Sequence, residues 1–163
     1  MRAPPRLSTL LPALLALAWG VASSAADEVP KDQAELKLHA AMSGTNASSF
    51  FDGYDTEACE DGKGPGRLAT FNFFAKKQQS ELVRSGAPLY LLGVLHVTPK
   101  SGEHMLKNAC RSMRSFVPEA GRVYEIRQDA SERNCPIAIK DARTGAEVKA
   151  QKVKPKGACR EKK

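Results

Sequence analysis

The chain has 163 residues, 42% of them hydrophobic and 26% charged, with 25 Lys plus Arg against 18 Asp plus Glu. That length suits about one domain, and the composition excludes collagen-like chains and strongly acidic, aromatic-free disordered ones. The formal charge of +7 is unevenly placed: without Arg2 and Arg6 it is +5, residues 149–163 alone carry +6, and 26–148 is near −1.

The first 25 residues have the pattern of an export leader rather than of fold. Arg2 and Arg6 precede an apolar run over 7–21, and Ser23, Ser24, Ala25 and Ala26 supply small residues for cleavage after Ala25 or Ala26. The run is short against the roughly 20 residues a membrane helix needs, and no later segment is long and apolar enough to span. A lipoprotein would need a Cys at the cut, whereas the first Cys is Cys59. The expected product is therefore periplasmic or secreted, not lipidated, with no transmembrane span. Residues 26–34 read as a loose polar lead.

A domain is expected over 35–150. From Glu35 the pattern alternates, with Leu36, Leu38, Ala40 and Met42 on one side and Glu35, Lys37 and His39 on the other, as in a half-buried strand. Residues 44–66 read as a long Gly-, Asn-, Ser- and Asp-rich loop whose Phe50, Phe51 and Tyr54 give it either packing or a contact surface. Residues 67–75 are strand-like, and 75–83 suit a helical turn or two stopped by Ser85-Gly86-Ala87-Pro88. The most apolar run, 89–98, reads as a central strand. Further strands or edges fit 103–111, 114–117, 122–128, 136–140 and 146–150, with hairpin-type joints at 118–121 and 141–145. Seven or eight short strands without sustained 3.6-residue periodicity predict an all-β, antiparallel β-sandwich. Residues 151–163 remain as a basic C-terminal tail.

All four Cys (Cys59, Cys110, Cys135 and Cys159) follow the leader, and an even count in an exported chain predicts two disulfides, with three connectivities open. None of the spacings suits zinc or a thioredoxin-like redox site. The acidic residues Asp52, Asp55, Glu57, Glu60 and Asp61 surround Cys59 and complement the tail around Cys159. They fail the calcium-loop register, because Tyr54 or Cys59 falls where an oxygen ligand is required. Pro65 removes a backbone donor from the Gly62–Gly66 stretch, which also lacks the phosphate-loop pattern. His39, His96 and His104 are too scattered for a local metal motif, and no nucleophile elbow exists. No catalytic residue, metal or cofactor is expected.

Cys110, then Phe116-Val117-Pro118-Glu119-Ala120-Gly121-Arg122-Val123-Tyr124-Glu125, then Cys135, reads C…F-x-P-x-x-G-x-x-Y-E…C. This signature resembles that of small exported proteobacterial proteins, often lipoproteins, with a PEGA-like or transthyretin-like β-sandwich. Cys59 before a Gly-rich stretch, Ser85-Gly86-Ala87-Pro88-Leu89 before the central strand, and the late Cys159 extend the likeness over about residues 35–160. The missing lipid-acceptor Cys is a departure from it. The resemblance implies a fold and a compartment but no catalytic residues. Within it, Cys110 and Cys135 bracket the signature segment and are expected to pair. That leaves Cys59 for Cys159, an approach favoured by their opposite charged surroundings. Tyr124 is expected to bury its ring and to find a partner for its hydroxyl.

Two functional classes follow. One is a non-catalytic cell-envelope module, structural or interacting, whose basic tail meets an envelope protein or an anionic surface. The tail carries no aromatic residues for specific nucleic-acid stacking. The other is an exported inhibitor or ligand-binding protein presenting the 50–66 loop with Phe50, Phe51 and Tyr54. Burial of these aromatics favours the first class, and an exposed tip the second.

Overall fold

In a computed structural model, the described residues are 29–39, 47–60, 62–72, 77–97, 108–129, 135–156 and 159. The expected leader, Ala40, Met42, Phe73, His104 and Asp61 lie outside them. The described residues form nine strands: β1 (Gln33–His39), β2 (Ala47–Tyr54), β3 (Gly66–Phe71), β4 (Gln78–Arg84), β5 (Leu89–Val97), β6 (Asn108–Phe116), β7 (Val123–Gln128), β8 (Ile137–Asp141) and β9 (Gln151–Val153). They make a four-stranded sheet in the order β4-β1-β7-β8 and a five-stranded sheet in the order β3-β2-β5-β6-β9. The all-β sandwich expected from the alternating segments is the fold observed.

One layer of apolar side chains joins the sheets. Leu36 and Leu38 of β1, Ile126 of β7 and Ile139 of β8 meet Phe51 of β2, Phe71 of β3 and Leu91 of β5. The alternation in β1 follows from its place between two strands: Ala34, Leu36 and Leu38 are fully buried on the core side, while the intervening residues are half-buried. β5, the most apolar segment, is the middle strand of its sheet and buries both faces. Leu89 and Leu91 point into the core, whereas Leu92 and Val94 join a second apolar cluster on the outer face.

Several boundaries differ from the sequence reading. The 44–66 segment is not all loop, because β2 pairs with both β3 and β5. Its Gly, Ser and Asp content hides a strand whose register shifts between Phe51 and Asp52, so that Leu68 and Ala69 of β3 are both buried. The expected helical turn at 75–83 is instead edge strand β4. Its backbone completes the ladder of β1, and of its side chains only Val83 is buried. Segments 103–111 and 114–117 merge, in their described part, into β6. The signature joint at 118–121 is a crossover between the sheets and not a hairpin. Pairing between β1 and β7 is parallel, the one parallel pair among the named strands, and the chain between them passes through strands of the other sheet. In the 146–150 segment Glu147 makes only an isolated bridge to Lys140. The last strand is β9, at residues assigned from sequence to the tail, so the sandwich runs from Gln33 to Val153.

Candidate functional site

The signature residues build the corner at which the chain passes from one sheet to the other. Phe116 and Tyr124 pack edge to face with ring centroids 5.3 Å apart, and the Glu119 N–H donates to the Tyr124 hydroxyl at 2.9 Å. Gly121 takes a φ of 70°, which a residue without Cβ adopts freely, and its N–H donates to the Gln33 carbonyl at 2.8 Å. The Gly86 N–H donates to the Pro118 carbonyl, also at 2.8 Å, so the second recognisable segment touches the first. Arg122 bridges Glu119 and Asp141 at 3.2 and 2.9 Å.

Asp141 was not singled out from the sequence, although an Asp three residues before Thr-Gly is a readable turn signal. Its carboxylate accepts from the Thr144 N–H, the Thr144 hydroxyl and the Arg143 N–H at 2.8, 3.0 and 3.0 Å. The Thr144 N–H above all, with Arg122 adding attraction, holds its pKa below the ordinary 3.8.

The cysteines form two separate bridges. Cys110, on β6, is bonded to Cys135, just before β8, with Cα atoms 6.0 Å apart, which ties one sheet to the other. Cys59 is bonded to Cys159 with Cα atoms 5.5 Å apart and lies on the outer face of the five-stranded sheet. There the bridge packs with Leu92, Val94 and Met113, flanked by Phe50, Tyr54, Tyr90 and Val153. This second bridge straps the C-terminal segment across the sheet.

Around the strap the acidic residues are largely matched. Asp52 pairs with Arg67, Glu60 with Lys63 at 2.5 Å, and Glu57 with Lys156 at 2.5 Å. The Glu57–Lys156 pair joins the acidic loop to the basic segment, but both side chains are about half exposed, so it contributes at most about 1 kcal/mol. The disulfide and the apolar cluster therefore hold the segment down. Among the described residues no group of three or more His, Cys, Asp or Glu gathers as a metal site would require.

The three aromatics read as a contact loop are placed in β2. Phe51 is fully buried in the core, edge-on to Phe71 at 6.3 Å. Phe50 lies on the outer face under the Arg67 guanidinium, 4.1 Å from its carbon, and stacks on His96 at 5.8 Å. Tyr54 is half-buried in the strapped cluster. They are thus divided between the two faces of one strand, and none is an exposed loop tip. His39 ends β1 with Nε2 buried and unpartnered, and burial, then Arg127, pushes its pKa below 6.5.

Clefts among the described residues include two on the surface. One, of about 490 Å³, lies between Asp55, Gly64 and Pro65 on one side and Leu82, Arg84 and Pro88 on the other. The other, of about 400 Å³, lies where the chain leaves β9 and diverges from β6; Arg111, Met113, Lys152, Lys154 and Pro155 line it. Sequence reasoning placed the basic charge in a tail. It missed that β6 sets Arg114 directly opposite Lys152, because the two segments are far apart in sequence and only the strand pairing unites them. Among the described residues no helix is long and apolar enough to cross a membrane. The chain matches no protein-family model and no curated protein.

Proposed function

We propose that the chain is a non-catalytic module of the cell envelope, exported by its N-terminal leader and acting through its surface. The observation that carries this reading is the use of all four cysteines in two bridges, one between the sheets and one over an outer face. Such stapling belongs to oxidising compartments, where it persists. The leader pattern over 1–25 and the resemblance of the 110–135 signature point the same way. A non-catalytic role draws support from how the signature is spent: Phe116, Pro118, Gly121 and Tyr124 go into the crossover corner. Burial of Phe51 and coverage of Phe50 and Tyr54 favour the module over an inhibitor presenting an aromatic loop.

Cell fractionation of the native host with mass spectrometry of the N-terminus tests the export step; a start at Ala26 or Asp27 in the envelope fraction is expected. Cross-linking in the intact envelope followed by pull-down then identifies the neighbour. Alanine at His39 or His96 is expected to leave any cellular phenotype intact. Loss of the phenotype with unchanged folded yield would reopen an enzymatic reading.

A further inference from the structure

Among the described residues the two sheets end in the edge strands β4 and β8, and β3 and β9. An unpaired edge invites another strand, and proteins usually blunt it. On β8 the following chain takes up the outward backbone: the Asp141 N–H donates to the Ala146 carbonyl, and the Val148 N–H to the Ile139 carbonyl. On β3 the Gln79 side chain bonds both the N–H and the carbonyl of Thr70. β9 is only three residues long, with Lys152 in it and Lys154 just after it. β4 has no such protection. It runs for seven residues, contains no Lys, Pro or Gly, and pairs with β1 without a bulge. Past Gln79 it borders open space, because Leu82, Val83 and Arg84 form one wall of the cleft of about 490 Å³.

The register fixes which backbone groups β4 presents there. The Gln33 carbonyl and the Glu35 N–H are bonded to Gly121 and Arg122 on the β7 side, so Ala34, Leu36 and Leu38 direct their backbone groups to β4. Their partners Val83, Glu81 and Gln79 face β1 in return, as the Ser85 N–H does towards the Asp32 carbonyl. Ser80, Leu82 and Arg84 therefore direct their N–H and C=O groups to the open edge. The Leu82 side chain lies on the outer face and is 49% exposed, although it is large and apolar. We propose that β4 pairs antiparallel with β4 of a second copy of the chain, about a twofold axis at Leu82, joining the two four-stranded sheets edge to edge. In this register the outward groups of Leu82 bond their own counterparts and those of Ser80 bond Arg84. The two Leu82 side chains cover one another, and Glu81 falls opposite Val83, so no like charges stand opposite. An axis at Glu81 would set two carboxylates opposite, and one at Arg84 two guanidinium groups, both of which strand pairs disfavour. This self-match selects a second copy over a foreign strand. The pairing belongs to the folded chain wherever it acts, so it does not rest on the envelope reading.

The test is sedimentation equilibrium of the oxidised protein over a range of concentrations, with residue-resolved amide exchange alongside. A monomer–dimer equilibrium is expected. Exchange at Ser80, Leu82 and Arg84 should slow as concentration rises, while that at Val83, already bonded to β1, changes little. Leu82→Lys sets two ammonium groups opposite at the axis and is expected to weaken the dimer about tenfold or more. Ser80→Pro removes an outward N–H from each copy without touching the ladder to β1, and should weaken it likewise. Val117→Lys, at the other exposed large hydrophobic residue among those described, should dimerise as the parent does. Because the Leu82 side chain lies outside the core, Leu82→Lys should keep the parent's Tm at dilutions where both are monomeric, which separates lost pairing from misfolding. A chain that stays monomeric up to its solubility limit would overturn the proposal, including one that instead binds a foreign strand-forming peptide along β4. So would a dimer that Leu82→Lys and Ser80→Pro leave unchanged.

Discussion

Replacing Cys59 and Cys159 together with Ala removes the strap while leaving the inter-sheet bridge in place. The bonded cysteines are 100 residues apart, but Cys110–Cys135, which spans 25, is nested inside. The shortest closed path is therefore about 75 residues, and loop-closure entropy places the stabilisation near 4.5 kcal/mol. Against a total of about 5–15 kcal/mol for a domain, that is a large fraction. The Glu57–Lys156 pair cannot replace it, since an exposed pair contributes about 1 kcal/mol at most. In urea titrations followed by far-ultraviolet circular dichroism, the double variant should unfold at a much lower midpoint, with a stability loss of several kcal/mol. It should also bind a hydrophobic dye before global unfolding, because Leu92, Val94 and Met113 lose their cover. A loss below about 1 kcal/mol, with no added dye binding, would refute both the entropic argument and the strapped outer layer.

Gly93→Ala should destabilise by about 1–3 kcal/mol through overpacking, because a Cβ there would lie 3.0 Å from both Gln128 Nε2 and Ile137 Cδ1 across the core; a urea midpoint checks it, and an unchanged midpoint would contradict the close approach of the sheets. Tyr124→Phe keeps the ring but leaves the Glu119 N–H unpaired, with an expected loss of about 1–2 kcal/mol by the same assay. Stability should fall on acidification in two steps: both His39 and Asp141 have lowered pKa values in the fold, so each contributes stability fully present above its ordinary value (6.5 and 3.8) and lost as pH drops through the folded value. Urea midpoints from pH 7.5 down to pH 2 should lose the upper step in His39→Gln and the lower step in Asp141→Asn.

Where a strand alternates in a half-buried setting, or is apolar on both faces, the sequence was readable. β1, with Leu36 and Leu38 against Lys37, and β5, with Leu89 to Leu95, lie where their patterns put them. β2 and β4 were misread for opposite reasons. In β2 a Gly-Ser-Asp composition masks two neighbouring strands that satisfy its backbone. β4 is an edge strand that buries only Val83, so its strand character comes from the ladder with β1 and leaves no apolar alternation. At that edge Gln79 exchanges hydrogen bonds with the backbone of Thr70 in β3, at 3.2 and 3.0 Å, which closes the side of the sandwich by a contact no local pattern announces. The cationic pair across β6 and β9 was equally hidden. Lys152 was visible as charge, but its place opposite Arg114 exists only through the β6–β9 register.

Non-reducing peptide mapping of the protein recovered from the host envelope bears most directly on the account, because one experiment reads both the compartment and the architecture. The expected result is a mature chain beginning at Ala26 or Asp27, no free thiol, and two linked peptides joining Cys59 to Cys159 and Cys110 to Cys135. Free thiols throughout, or a peptide joining Cys59 to Cys110 or Cys135, would contradict it. The first would remove the oxidising compartment, and the second would require a different placement of the outer strap on the sandwich.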